Sequence, residues 1–201
     1  MKKITKGKEP VAWVQHRCTS GAVYEAIPDL RAALLAEQGY ICAYCMCRIS
    51  STQSRIEHVL SRKQYPEKQM DYDNMVICCN GETDGEAHCD RSKKDNSVSF
   101  DLQDANFIDS ISYSSKTGEI RCSQASHQSE MVDYLNLNHA RLKANRRATL
   151  EGIIEECNKK RWATSLKKML EIWEDKDDQG RYHPYCGIVI YYLKKKLRQL
   201  P

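Results

Sequence analysis

Cysteines near the centre of the sequence constrain this chain most strongly, and they fall into two groups. A close pair is followed by a later set of three: Cys42 and Cys45, then Cys78, Cys79 and Cys89. Two thiolates separated by two residues can bind one side of a tetrahedral zinc ion, and a distant second pair can complete its coordination. The spacing therefore predicts a structural zinc site that joins two parts of the chain.

The cysteines allow other interpretations as well. A Cys-x-x-Cys pair also occurs as a redox dithiol, although that interpretation requires a βαβ frame around it. The chain has ten cysteines and no apolar segment behind its basic amino terminus, so we expect reduced thiols and metal binding rather than disulfides. Adjacent strand residues face opposite sides, so only one of Cys78 and Cys79 should face the metal. Cys47 is an additional thiol that the pattern does not require.

Residue types suited to phosphodiester hydrolysis lie between and beside these cysteines. They are an imidazole, carboxylates and an amide: Glu57, His58, Asn74 and Asp90. A neutral imidazole has an ordinary pKa of about 6.5 and can accept a proton at physiological pH. Mg²⁺ prefers a few protein carboxylates together with water and phosphate oxygens. The set predicts hydrolysis assisted by one hard metal ion, whereas His58 alone would more often be a structural histidine.

The sequence between the cysteine groups and just after Cys89 indicates a strand, a loop, a second strand and a short helix. The corresponding segments are Arg55–Leu60, 61–73, Met75–Ile77 and Asp90–Asn96. Flanking segments predict further elements: a helix from Pro28 to Gly39, a β-hairpin over Asn106–Cys122, helices from Glu130 onward, and a closing helix over Gly187–Leu200. We therefore expect an α+β fold, with a nuclease region over 1–128 and a helical region over 129–201 packed on it.

The charge distribution favours phosphate binding beside cation binding. The chain carries 31 Lys and Arg against 27 Asp and Glu, a formal charge of +4. Residues 71–90 contain six acids and no Lys or Arg, whereas the segment from His139 to Lys168 is basic. Lys93 and Lys94 follow the last acid of the first segment and are candidate contacts to a nucleic acid, although such lysines are often only solvated. No run of 18 apolar residues occurs, so we expect a cytoplasmic protein without membrane spans.

The same segments resemble a known family. The phrases EQGYICAYCMCRI, IEHVLSRKQYP, DYDNMVICCNG and HCDRSKKD resemble the HNH endonucleases, which have a ββα-metal fold. The resemblance is closest to the PtuB-like proteins of Septu-type and retron-associated antiphage systems. The later phrases ISYSSKTGEI, YLNLNHARLKANRR and HPYCGIVIYYL fit as well, so the resemblance covers nearly the whole chain. It implies a zinc-stapled ββα-metal (HNH) core with a β-hairpin and flanking helices.

The resemblance also implies roles for individual residues. His58 would be the general base, Glu57 and Asp90 would hold a catalytic Mg²⁺ or Mn²⁺ ion, and Asn74 would stabilise the loop that orients His58. In the family pattern a zinc cysteine lies five residues after the asparagine, which selects Cys79 and gives the zinc set Cys42, Cys45, Cys79 and Cys89. Asn80–His88 is longer than the simplest pattern, so His88 rivals Cys89. Asp90 stands where Asn or His is more usual.

Partners and substrate follow from the resemblance alone. It implies a PtuA-like ATPase of the ABC or SMC type that gates cleavage, a role in antiphage defence, and a retron reverse transcriptase with its RNA and DNA as a further partner. DNA and RNA, including transfer RNA, both remain candidate substrates. The contrasting hypothesis is a catalytically silent zinc module that binds nucleic acid or the ATPase and assembles the complex. The combination of Glu57, His58 and Asp90 favours the enzyme.

Overall fold

The computed structural model describes residues 1–159 and 163–199 of the chain, and it has an α+β architecture. The α-helices are α1 (Val11–Arg17), α2 (Pro28–Glu37), α3 (Asp90–Lys93), α4 (Ala105–Asp109), α5 (Ala125–Ser129), α6 (Ala140–Lys159), α7 (Ala163–Glu174) and α8 (Cys186–Arg198), and Glu130–Tyr134 forms a π-helical turn after α5. The strands are β1 (Arg55–His58), β2 (Met75–Cys78), β3 (Glu82–Thr83), β4 (Glu86–Ala87), β5 (Ile111–Tyr113) and β6 (Ile120–Cys122). Within the predicted helical region, residues 160–162 and 200–201 lie outside the described residues.

Helix α2 delivers the chain to the first cysteine pair. It begins at Pro28, whose missing N–H costs nothing at a first helical position, and it ends before Gly39, whose φ is +58°. The Gln38 side chain then binds the backbone of β2, accepting from Ile77 N at 2.7 Å and donating to Ile77 O at 2.8 Å. This pair of hydrogen bonds fixes the cysteine pair beside the second strand.

Strands β1 and β2 form an antiparallel pair in which Glu57 lies opposite Val76 and His58 lies opposite Met75. Strand β2 is buried along its whole length because its residues are apolar. The predicted loop between the strands contains two short 3₁₀ turns, Pro66–Lys68 and Tyr72–Asn74. The sheet therefore holds Glu57 and His58 on a rigid element.

The nine residues between Cys79 and Cys89 fold into a small hairpin, β3 and β4, that returns the chain to the cysteines. Cys89 has a positive φ of 54° and immediately precedes α3. Its N–H donates to Leu135 O at 2.8 Å, and Asn136 Nδ2 donates to Ala87 O at 2.9 Å. The segment after residue 128 thus supports the second cysteine group directly.

The predicted hairpin over Asn106–Cys122 is correct only in its second part. Residues Ala105–Asp109 form helix α4, whose first turn is capped by Asp104: its carboxylate accepts from Asn106 N at 2.9 Å. The hairpin itself consists of β5 and β6, with Ser112 opposite Arg121. Over so short a segment the spacing of apolar residues fits either a strand or a helix. The Asp104 cap favours the helix.

The two predicted regions share one hydrophobic core within the described residues. Buried side chains on both sides of residue 128 belong to it, for example Leu34 and Leu35 with Leu135 and Leu137. Buried Arg146 of α6 crosses this boundary, because its guanidinium donates to Gly118 O at 2.6 Å and to Leu137 O at 2.7 Å. In the described part of the chain, no helix is long and apolar enough to span a bilayer.

Candidate metal centre and adjacent cleft

Four buried cysteine sulfurs cluster where the knuckle after α2 meets the residues before α3. They are the predicted set, Cys42, Cys45, Cys79 and Cys89, and their Sγ atoms all lie within 4.8 Å of one another. Cys42 Sγ lies 3.9 Å from Cys89 Sγ, and Cys45 Sγ lies 3.8 Å from Cys79 Sγ. Burial raises the pKa of the Cys89 thiol well above its usual value. Four thiols so placed form a possible tetrahedral metal site, compatible with structural zinc.

The rival ligands lie beside this cluster. Cys78 and Cys47 are not members of the four-sulfur group. His88 approaches closely, with Nδ1 3.2 Å from Cys89 Sγ, while its Nε2 lies 3.0 Å from Thr83 Oγ1. Nδ1 also lies 3.9 Å from Cys79 Sγ, so the side chain of His88 contacts two sulfurs of the cluster and ties them to the β3–β4 hairpin.

A cleft of about 570 Å³ opens on the side of β1 that faces α3. Its lining combines two carboxylates of the predicted site, His58 and a set of basic residues. The lining residues are Arg55, Ile56, Glu57, His58, Ser61, Arg62, Lys63, Asp90, Arg91, Lys93, Lys94 and Asp95. The structure thus brings Glu57, His58 and Asp90 together, as the sequence pattern predicts.

The His58 imidazole is fixed in one orientation. Its Nε2 lies 3.0 Å from Gln69 O, and since a carbonyl can only accept, Nε2 carries the proton and Nδ1 keeps its lone pair. Nδ1 has no hydrogen-bond partner among the described residues. The Tyr24 ring packs edge-on against the imidazole, with centroids 4.5 Å apart. Burial lowers the pKa of His58 to about 4, so the ring is neutral at pH 7.

Asn74 supports His58 indirectly, through the loop that contacts the imidazole. Its Oδ1 accepts from Leu60 N at 2.8 Å, and its Nδ2 donates to Leu60 O at 3.0 Å and to Lys68 O at 3.2 Å. These bonds close the loop that carries Gln69, the residue whose carbonyl holds His58. Asn74 therefore acts on His58 only through this loop, and its predicted orienting role stays a prediction. Sequence reasoning missed Gln69 because its contribution is a main-chain carbonyl.

Glu57 and Asp90 lie next to each other at the inner end of the cleft. Burial, followed by the neighbouring Asp90 carboxylate, raises the pKa of Glu57 well above its ordinary value. Tyr44 Oη donates to Glu57 Oε1 at 3.1 Å, and Arg55 Nε lies 3.3 Å from Asp90 Oδ2. Tyr44 stands inside the first cysteine pair, so the metal knuckle and the carboxylate site are physically joined. Sequence reasoning did not assign it this contact.

The prediction that Lys93 contacts nucleic acid does not fit the structure. Its side chain is only 1% exposed, and Nζ lies 2.9 Å from Glu57 Oε1, 3.0 Å from His58 O and 2.7 Å from Asn96 O. An ammonium group with three such partners cannot reach a bound nucleic-acid strand. Lys94 is exposed at the rim of the cleft, and its predicted role stays a prediction.

The remaining basic residues surround the mouth of the cleft. Arg62 lies over the Tyr24 ring at 4.7 Å, and Lys63 pairs with exposed Asp95 at 2.8 Å. Arg91 pairs with Glu82 of the β3–β4 hairpin. Because these ion pairs are solvent-exposed, they are weak and can exchange a carboxylate partner for a phosphate.

No protein-family model matches this chain, and no curated protein matches it either.

Proposed function

We propose that the chain is a metal-dependent endonuclease of the HNH type, built on a zinc-stapled ββα-metal core. The observation that carries this proposal is the position of His58, Glu57 and Asp90 in one cleft with a basic rim. A purely structural module has no need for an oriented neutral imidazole beside two adjacent carboxylates. The PtuB-like family membership, the gating ATPase and the role in antiphage defence remain predictions from the resemblance.

Zinc at the four cysteines is supported by the distances between sulfurs. For tetrahedral coordination with Zn–S bonds of about 2.3 Å, the separation between two sulfurs is about 3.8 Å. The separations of 3.8 and 3.9 Å match that value closely. Zinc would connect the knuckle after α2 to the residues that precede α3, and so fix the distance between Glu57 and Asp90.

The second proposed ion is Mg²⁺ or Mn²⁺, held by Glu57 and Asp90. Hard oxygen donors suit these cations. Burial, followed by the neighbouring Asp90 carboxylate, raises the pKa of Glu57, and a cation bound between the two carboxylates would favour their ionised forms. Such an ion, when bound, polarises the scissile phosphate and stabilises the leaving oxygen.

The chain's own residues supply the rest of the reaction. His58 Nδ1 accepts a proton from a water molecule that attacks phosphorus, and the Gln69 carbonyl stabilises the imidazolium that results. The basic rim binds phosphates on either side of the scissile bond, with Arg62 and Lys94 at its mouth. These residues would contact the phosphodiester backbone rather than the bases, so DNA and RNA, including transfer RNA, are both candidate substrates.

A cleavage assay with matched histidine variants tests the proposal. Labelled DNA, RNA and transfer RNA are incubated with the purified chain and Mg²⁺ or Mn²⁺. We expect His58→Ala to lose about 10²–10⁴-fold in rate without recovery at higher metal concentration, since the missing group is a proton acceptor. Asp90→Ala should lose activity that excess Mn²⁺ partly restores. His183→Ala, which changes a histidine outside the cleft, should cleave normally.

Two outcomes would contradict the assignment. Wild-type cleavage by His58→Ala, or rescue of it by metal as complete as that of Asp90→Ala, would remove His58 as the base. Nucleic-acid binding without cleavage of any of the three substrates, unchanged in all variants, would favour the silent zinc module instead.

A further inference from the structure

The two edges of the β5–β6 hairpin are treated differently by the rest of the chain. The outer edge of β6 is closed by side chains. Ile120 N donates to Asn138 Oδ1 at 2.9 Å while Asn138 Nδ2 donates to Ile120 O at 3.1 Å, and Cys122 N donates to Gln128 Oε1 at 2.7 Å. An amide side chain at each position thus occupies the place of a neighbouring strand.

The outer edge of β5 has no such hydrogen-bond partners among the described residues. Its residues Ile111 and Tyr113 are only 4% and 8% exposed, and both line a groove beside the hairpin. Ser123 N donates to Ser110 O at 3.1 Å and Ser114 N donates to Glu119 O at 3.0 Å. These two bonds identify which residues of β5 bond to β6, and every second residue between them faces the opposite side. By that alternation the N–H and C=O groups of Ile111 and Tyr113 point away from β6. Across the described ranges, neither residue's backbone forms a hydrogen bond on that side.

A groove of about 670 Å³ runs between this hairpin, the amino-terminal residues and α8. Ile108, Ile190 and Tyr191 give it an apolar surface, and five basic residues outnumber two acidic ones along its walls. Part of this charge is satisfied, since Lys194 pairs with Glu174 at 2.7 Å. Lys3 and Arg198 line the groove without an ion pair to any described residue.

We propose that this groove is the docking site for an extended acidic segment of a partner protein, which adds as a third strand to the free edge of β5. The four unpaired peptide groups of Ile111 and Tyr113 match the donors and acceptors of an extended backbone. The apolar surface accommodates alternate side chains, and Lys3 and Arg198 bind carboxylates. This site is independent of the proposed nuclease activity.

Other occupants fit the groove less well. A nucleic acid would satisfy the basic residues, but its phosphates lack N–H donors for the carbonyls of the β5 edge. A second copy of this chain would place two basic grooves against each other, which costs electrostatic free energy. An acidic peptide satisfies both the backbone groups and the charges.

A labelled peptide of alternating glutamate and valine tests the proposal by fluorescence anisotropy with the full chain. We expect saturable binding that a matched peptide of alternating lysine and valine does not show. The double variant Lys3→Glu/Arg198→Glu should weaken binding by about tenfold or more. Lys167→Glu, at an exposed position of α7, should bind as the wild type does.

Methylation of the peptide nitrogens separates strand addition from charge attraction alone. A strand uses only one of its two edges for pairing, so methylating either the glutamate or the valine nitrogens should abolish binding in one case and spare it in the other. Equal affinity of both methylated peptides would overturn the proposal. The proposal would also fail if the Lys3→Glu/Arg198→Glu variant kept peptide binding but no longer bound a labelled oligonucleotide. Unchanged peptide binding together with a loss of self-association in sedimentation would overturn it as well.

Discussion

At the scale of single residues, the inner end of the cleft is a set of buried charges that depend on one another. The Lys93 ammonium and the Glu57 carboxylate are 1% and 5% exposed, and they lie 2.9 Å apart. The same ammonium is bonded to main-chain oxygens of β1 and of the residues after α3. Lys93 therefore positions the strand that carries His58.

Removing the Lys93 ammonium should destabilise the fold strongly. Lys93→Met leaves Glu57 as a buried carboxylate without its cation, and we expect the free energy of unfolding to fall by about 3–5 kcal/mol. Urea denaturation measures this loss. Lys94→Met, the exposed neighbour, should change it by less than about 0.5 kcal/mol. The double variant Lys93→Met/Glu57→Gln should recover part of the loss, and failure to do so would contradict the pairing argument.

His58 should make stability depend on pH. Its pKa is about 4 in the folded chain, so between that value and about 6.5 only the unfolded chain binds the proton. Folding is therefore favoured at pH 7 and loses this contribution as pH falls. Between pH 6.5 and 5.5, without added Mg²⁺, the wild type should lose roughly 1 kcal/mol more than His58→Asn. Equal losses in urea titrations would contradict the buried neutral histidine.

At the scale of elements, a short knuckle, a two-stranded sheet and a one-turn helix are too small to hold the cleft by themselves. Helix α3 spans four residues, and β1 and β2 also span four each. Elements of this size bury little surface and are marginal alone. The four-cysteine cluster connects them, because its members precede β1, follow β2 and precede α3.

Loss of metal should therefore unfold this part of the chain. Zinc bound by such a site contributes an apparent free energy on the order of 10–16 kcal/mol at pH 7. We expect about one zinc per chain by elemental analysis, and insoluble or unfolded protein for Cys42→Ser. Cys18→Ser changes an exposed cysteine outside the cluster and should behave as the wild type. Folded protein free of zinc would contradict the site.

At the scale of the whole molecule, the segment after residue 128 completes the core that residues 1–128 begin. Leu135 and Leu137 are fully buried in the shared cluster, and the Leu135 carbonyl accepts from the N–H of Cys89. The segment after residue 128 thus acts on the second cysteine group through both packing and a hydrogen bond. We therefore expect the two regions that the sequence suggested to unfold as one cooperative unit.

Truncation at residue 128 should accordingly damage the metal centre and not only a peripheral region. The fragment 1–128 exposes the leucine-rich side of the core, so we expect it to bind a hydrophobic dye and to lose zinc to a chelator faster than the full chain. Circular dichroism and chelator competition measure both effects. A fragment with native-like stability and zinc retention would show that the two regions fold independently.

The sequence by itself determined the features that depend on a few neighbouring residues. The Cys-x-x-Cys spacing, Pro28 and Gly39 around α2, and the adjacent Glu57 and His58 predicted the knuckle, the helix and the centre of the cleft. Local geometry suffices there because helix ends and cysteine knuckles are set within one or two turns of chain.

Only the tertiary structure decided which distant groups meet. Lysine is a residue type that is usually exposed. The burial of Lys93 against Glu57 depends on how α3 packs against β1. The Gln69 carbonyl that orients His58 has no sequence signature, since every residue carries a backbone carbonyl oxygen. The free edge of β5 is likewise defined by what Asn138 and Gln128 cover on the other side. Such contacts arise from packing between segments far apart in the chain, so no local pattern encodes them.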